Sequence, residues 1–169
     1  MDHAIRMTGS LEPRGDWKAD RCTIARALEV LTTRSAFLIL REAFYGTTRF
    51  DDFAERAGIS EPVTAARLRE LVDEGLLERE DYREPGQRTR QRYRLTEKGE
   101  DLLPVLVALM QWGDRWLDDR GGPVELRHDG CGETVRAQLR CAAGHPVTPD
   151  DLSLAARRGR RSVPAGAGE

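Results

Sequence analysis

The chain has 169 residues, of which 39% are hydrophobic and 33% charged, with a formal net charge of -2. That size suits one main core with a small appendage, and the composition excludes a disordered or membrane-embedded chain. A balance so near neutrality also excludes a generally basic nucleic-acid binder, so any contact with nucleic acid has to come from local charge. The longest apolar stretch, residues 102–110, is about half of the ~20 residues that a spanning helix needs. The N-terminus lacks a basic start followed by an apolar core, so a cytoplasmic location without a membrane partner is expected. Three cysteines, Cys22, Cys131 and Cys141, form an odd set that argues against a disulfide framework. They are reduced thiols, metal ligands or redox sensors.

In chain order, residues 1–19 show no sustained periodicity and contain Gly9, Pro13 and Gly15, which predicts a mobile arm. Ile24, Ala27, Leu28 and Leu31 repeat at threes and fours, predicting a first helix over 23–31. Phe37, Leu38, Leu40 and Phe44 predict a second helix, apolar on more than one side and ended by Gly46. Phe50, Phe53, Ala54 and Ala57 mark a short third helix stopped by Gly58, after which Ser60 caps a fourth that carries Pro62 in its first turn. Residues 76–82 and 90–95 read as two strands of a hairpin with Pro85-Gly86 in the turn. From Thr96 a long helix runs through Leu102, Leu106, Leu109, Met110 and Trp116 and ends near Gly121, with Pro104 in an early turn where its missing donor is either tolerated or kinks the helix. Short strands over 124–127 and 134–141 and a short helix after Thr148 follow, and then an arginine-rich tail. The expected architecture is mainly α with a small β-hairpin: a winged helix-turn-helix with a long C-terminal dimerisation helix and a small β appendage. The expected divisions are an arm over 1–19, a main helical domain with its hairpin over 20–120, the appendage over 121–154 and a disordered tail over 155–169.

A capped helix-turn-helix directly ahead of a basic hairpin points to double-stranded DNA. The second helix of such a unit enters the major groove with its N-terminal residues nearest the base edges, while arginines, hydroxyls and helix starts hold phosphates. With Leu68 and Leu71 facing inward, the groove-ready positions of the helix over 60–74 are Ser60, Pro62, Val63 and Ala66, and Arg67 is the phosphate candidate. The hairpin tip carries Arg88, Thr89, Arg90 and Arg92 without an acid, a pattern suited to phosphates or to a narrow minor groove. Arginines of this kind also protect an exposed hairpin edge from strand addition, so the pattern alone leaves both readings open.

Several short stretches in one order carry a resemblance. They are Cys22-Thr23-Ile24-Ala25-Arg26-Ala27-Leu28, Phe37-Leu38-Ile39-Leu40-Arg41-Glu42, Arg49-Phe50-Asp51-Asp52-Phe53, Gly58-Ile59-Ser60, Arg67-Leu68-Arg69-Glu70-Leu71, Gly75-Leu76-Leu77-Glu78-Arg79 and Tyr93-Arg94-Leu95-Thr96-Glu97-Lys98-Gly99. In these the chain resembles the HxlR-type regulators, a winged-helix group with MarR-like architecture, over residues 22–117. The resemblance implies homodimers paired through the first and last helices, operator binding, and control of detoxification or small-molecule metabolism. The chain departs from the group at Thr33-Arg34-Ser35-Ala36, where Gly-Arg-Trp is usual, and at Thr64, where leucine is common. Trp112 and Trp116, four apart on an apolar helix, suit either a dimer stripe or an ordinary core.

A repressor that responds to a small molecule or a redox signal is the expected function. Phe37, Phe44, Tyr45, Trp112 and Trp116 are the candidate pocket for an effector. Cys22, at the start of the first helix near Arg21 and Arg26, is the candidate redox switch, by helix dipole and by resemblance to regulators with a sensing cysteine there. His128, Cys131, Cys141 and His145 are two ligand pairs that suit tetrahedral zinc, but Gly144 stands where a second Cys-x-x-Cys would put sulfur, so a metal-free ribbon without cofactor is favoured. The acids show no pairing and no phosphate loop or Ser/His/Asp signature assembles, so an enzyme, or a protein-interaction module without DNA binding, is the disfavoured alternative.

Overall fold

The computed structural model describes residues 4–12, 22–31, 33–83 and 90–156. Arg88 and Thr89 of the hairpin tip, the greater part of the 1–19 segment and the tail from residue 157 lie outside the described residues. The chain divides into two compact units, Cys22–Ala137 and a second one formed by Met1–Arg21 together with Gln138–Glu169.

The Cys22–Ala137 unit is built from α1 (Thr23–Val30), α2 (Arg34–Phe44), α3 (Phe50–Ala57), α4 (Glu61–Asp73), strands β2 (Leu77–Tyr82) and β3 (Arg90–Leu95), and then α5 (Glu97–Glu100) and α6 (Leu103–Trp116). In the other unit β1 (Arg6–Thr8) pairs in parallel with β4 (Ser153–Ala155). Where the sequence suggested an uninterrupted arm, three residues of it thus form a strand. That pairing joins residues at opposite ends of the chain and leaves no local period to read. The β character expected of the appendage takes the form of this pair and of single bridges, Arg127 to Thr134 and Arg140 to Pro146. The segment after Thr148 is a 3-10 turn, Pro149–Asp151, held by the Asp151 carboxylate accepting from the Thr148 amide at 2.7 Å and hydroxyl at 2.8 Å.

The core joins α2, α3, α4 and the first hairpin strand through Ile39, Leu40, Phe53, Leu68, Leu71, Leu76 and Leu77, all buried. Phe53 meets Tyr93 edge to face at 6.2 Å between centroids, tying α3 to β3. Thr33 caps α2 by accepting from the Ala36 amide at 3.2 Å, with Ser35 Oγ 3.0 Å from the same hydroxyl. The departure at 33–36 therefore builds a polar helix cap where a bulky aromatic is usual.

The predicted long helix is two pieces. Thr96 accepts from the Gly99 amide at 3.1 Å and starts α5 as expected, but Asp101 and Leu102 form a turn and α6 begins afresh at Leu103. Pro104 accounts for the break. Its ring has no donor and would clash with the carbonyl of Glu100, whereas in the first turn of a new helix neither penalty applies. After α6, Gln111 holds the following segment by donating to the Val135 carbonyl at 2.7 Å and accepting from the Ala137 amide at 2.9 Å. Residues up to 137 thus belong with the helical unit, although the sequence suggested a division after 120.

The joint between hairpin and α5 is close. Thr96 donates its hydroxyl to the Gly75 carbonyl at 2.7 Å, its amide reaches the Leu76 carbonyl at 3.1 Å, and a β-carbon on Gly99 would collide with that Leu76 oxygen. Gly99→Ala is therefore expected to cost about 1–3 kcal/mol, because backbone rather than a movable side chain must give way. Urea unfolding measures this, and an unchanged midpoint would contradict it. Thr64 is fully buried on the inner face of α4 and its hydroxyl has no partner among the described residues. Burying such a group unpaired costs about 1–3 kcal/mol, so Thr64→Val, nearly equal in shape, is expected to raise stability by ~1 kcal/mol in the same measurement. A loss of stability would show that the hydroxyl is satisfied in solution.

Candidate nucleic-acid interface

The site begins at the corner between α3 and α4. Gly58 ends α3 in the left-handed region at φ 63°, where a side chain would be strained, and the Ile59 amide reaches back to the Ala54 carbonyl at 3.1 Å. Ser60 then takes the cap position of α4, with its carbonyl accepting from the Thr64 amide at 2.9 Å. Its side chain makes no capping bond, so the Ser60 hydroxyl and the first-turn amides of α4, Pro62 having none, stay available to a partner.

Burial of Thr64, Leu68 and Leu71 fixes the rotation of α4. At 100° per residue the directly opposite face holds Pro62, Ala66, Arg69 and Asp73, with Val63 at its flank. Ser60, Pro62 and Val63 are exposed, and Val63 presents 42% of its surface. Ala66 is half-buried. Arg67 sits at the edge of the buried face: its Nη1 pairs with the Glu70 carboxylate, only 24% of its side chain is accessible, and its Nε is buried without a partner. Arg69, which the sequence reading did not select, is exposed and pairs with no described residue. Its signal was the angle from Leu68 and Leu71, not nearness to the helix start.

The hairpin stands on α3 as well as on its own ladder. The Tyr93 amide donates to the Thr48 carbonyl at 2.8 Å, a bridge joins Arg49 to Arg92, and the Arg49 guanidinium lies 5.7 Å from the centre of the Tyr82 ring. Residues 48–49 thus add a third edge to the wing, a feature the sequence reading missed. Along β3, Arg92 donates to Glu80 at 2.7 Å and Arg94 lies 3.4 Å from the same oxygen, so one carboxylate offsets two cations. Arg90 is exposed, opposite Tyr82, and has no partner among the described residues.

A buried carboxylate supports this corner from behind. Glu42 accepts from Arg41 at 3.0 and 2.6 Å and from the Thr47 hydroxyl at 3.4 Å, while Arg56 donates to that hydroxyl at 3.0 Å. Arg41 also reaches the carbonyl of Arg56, two residues before Gly58, at 3.4 Å. The end of α2 is in this way pinned to the end of α3.

Arg41 also lines a cavity of about 320 Å³ between α2, α6 and residues 124–126, together with Phe37, Phe44 and Tyr45. Trp112 and Trp116, expected with these aromatics, do not line it and are 55% and 62% exposed. On α1, Ile24 and Leu28 are 70% and 54% exposed, leaving its apolar face uncovered. Cys22 is half-buried at the cap position of that helix. Farther on, His128 Nδ1 lies 3.3 Å from Cys131 Sγ, and Cys141 Sγ lies 3.6 Å from His145 Nδ1. Among the described residues no three His, Cys, Asp or Glu side chains gather into a group able to hold a metal ion. No described helix is long and apolar enough to cross a membrane.

Comparison with known proteins covers these same elements. Residues 30–121 match the model of the HxlR-like helix-turn-helix family. An HTH-type transcriptional regulator of Mycobacterium tuberculosis is 44% identical over 133 residues, which span 78% of this chain and 83% of the relative. Among solved structures, PA1607, a candidate transcription factor, superposes with a TM-score of 0.70 at 35% identity, covering 83% of this chain and 96% of that one. The redox regulator HypR in its reduced form superposes with a TM-score of 0.51 at 26% identity, over 57% of this chain and 94% of its own.

Proposed function

This chain belongs to the HxlR-like helix-turn-helix family, and on that premise we propose that it is a homodimeric transcriptional repressor that reads double-stranded operator DNA. It acts by binding rather than by catalysis, and it works in the cytoplasm. The observation that carries the reading is the start of α4, where Ser60, Pro62 and Val63 are uncovered on a helix whose other side is locked in the core. These residues and Ala66 meet base edges and sugars in the major groove, and Arg69 on the same face meets a phosphate. Arg67 joins it only by leaving Glu70. The wing, with Arg88, Thr89, Arg90 and Arg92, meets the adjoining backbone. Arg90 contributes more than Arg92, because Arg92 is already offset by Glu80.

Dimerisation is supported by two apolar surfaces that the single chain leaves open. One is Ile24 and Leu28 on α1. The other is Trp112, Trp116 and Leu117 at the end of α6, with Leu117 73% exposed. Exposed apolar residues grouped on helices of a small domain mark an interface, and a two-fold pair matches a palindromic operator. The cavity bounded by Phe37, Phe44 and Tyr45 is the effector pocket, and Arg41 links its wall to the end of α3. A second reading, thiol sensing at Cys22, has in its favour the likeness to HypR and the position of Cys22 at a helix start on the open α1 surface.

Fluorescence anisotropy with DNA from the promoter of its own gene tests the reading. Arg69→Ala and Arg90→Ala are each expected to weaken binding on every sequence and to lower the salt slope by about 0.9 for a lost phosphate contact, with Arg67→Ala weaker in effect. Unchanged affinity and slope in both variants would contradict the assignment. In sedimentation, Leu28→Asp combined with Trp116→Asp is expected to give monomers, and an intact dimer would overturn the α1 and α6 interface. If Cys22 is the switch, mild oxidant weakens DNA binding by the wild type and not by Cys22→Ser, and equal responses would remove the second reading.

A further inference from the structure

The cavity between α2 and α6 carries a chemical preference of its own. Its wall is mostly hydrocarbon, including the rings of Phe37, Phe44 and Tyr45 and the side chains of Leu106 and Met110, and its volume of about 320 Å³ falls in the range of small-molecule sites. Three charged groups reach it: Arg41, Asp114 and Glu125. Two of these are already spent. Arg41 is forked onto Glu42, and Glu125 is held by Arg127 at 2.6 Å and by the Thr134 hydroxyl, bonds that lower its carboxyl pKa.

Asp114 differs from both. It is half-buried on α6, its carboxylate lies against the backbone of Gly122, where a β-carbon would collide with it, and it has no hydrogen-bond or ion-pair partner among the described residues. An unpaired carboxylate on the rim of an aromatic cavity favours a positive charge, and aromatic faces add attraction for a poorly hydrated cation. An anionic ligand would meet this carboxylate with no spare cation among the described residues that line the cavity.

We propose that this cavity binds a lipophilic cation, an aromatic or aliphatic body carrying a protonated amine or a quaternary nitrogen, with Asp114 as its counter-charge. The inference deepens the reading of the cavity as an effector pocket and rests on it, but the binding itself does not depend on DNA. Entry of such a ligand places its body against α2 between Phe37 and Phe44, next to the arginine that pins Glu42 and the carbonyl of Arg56.

The experiment uses the full chain without DNA. Ethidium serves as the cationic probe and 1-anilinonaphthalene-8-sulfonate as an anionic aromatic of similar size, both followed by fluorescence. Ethidium is expected to bind the wild type saturably, and Asp114→Asn to weaken it about tenfold while leaving the sulfonate unaffected or better bound. Val124→Trp, which adds bulk at a half-exposed position of the cavity wall, is expected to abolish ethidium binding. Thermal melts show that each variant is folded, and if Asp114→Asn does not fold, Val124→Trp alone decides between binding in the cavity and elsewhere. Equal ethidium affinity in wild type and Asp114→Asn, binding that persists in Val124→Trp, or tighter binding of the sulfonate than of ethidium would overturn the proposal. Operator binding measured separately distinguishes the outcomes: ethidium failure with DNA binding intact removes the cavity assignment alone, and loss of DNA binding with ethidium retained removes the regulator reading alone.

Discussion

Leu68 and Leu71 lie on one side of α4 and are removed from water against Ile39, Leu40 and Phe53. Each such side chain contributes roughly 1.5–3 kcal/mol by burial, and the pair cannot leave the core without losing both contributions. With the helix held at these two points, its rotation is set, and Pro62, Val63, Ala66 and Arg69 have to face outward. Gly58 sets the other variable, the angle between α3 and α4, because its left-handed backbone allows the chain to turn within two residues of the helix end. A reading head of defined direction follows from apolar burial and one glycine, before any charge is considered.

Charge then works locally. The net charge is -2, and among the described residues of α4 and β3, Arg69 and Arg90 are unpaired while Glu70 and Glu80 offset Arg67, Arg92 and Arg94. The polar group behind the corner is of another kind. Glu42 is buried, and removing one partner of such a carboxylate costs more than the bond itself contributes, so Arg41, Thr47 and Arg56 are held together as a unit. That unit touches the cavity at Arg41 and the helix-turn-helix at the Arg56 carbonyl.

Much of this was legible in the residues. Gly58 followed by Ser60 and Pro62 marked the corner, and the alternation of arginines with Gln91, Tyr93 and Leu95 marked the second hairpin strand, because each is a local signal with a short range. The break ahead of Pro104 was legible only as one of two outcomes, a tolerated proline or a kink, since Thr96 is a good cap and the apolar period continues across the turn. Trp112 and Trp116 were placed beside the phenylalanines because periodicity tells which residues share a face but not what that face meets. Arg69 was passed over for Arg67 although a rotation of 100° per residue separates them clearly, and the pairing of Arg67 with Glu70 depends on side-chain rotamers that spacing does not specify. The strand pair of Arg6–Thr8 with Ser153–Ala155 depends on contacts between chain ends that no window along the sequence can contain.

The central claim is that DNA meets the outward face of α4. Titration of the isotope-labelled chain with a duplex from its own promoter, followed through backbone amide resonances, tests it most directly. The largest shifts are expected at Ser60, Val63, Ala66 and Arg69, with a second group around Arg90. Shifts confined to α1 and α6, with α4 unmoved at saturating duplex, would contradict it.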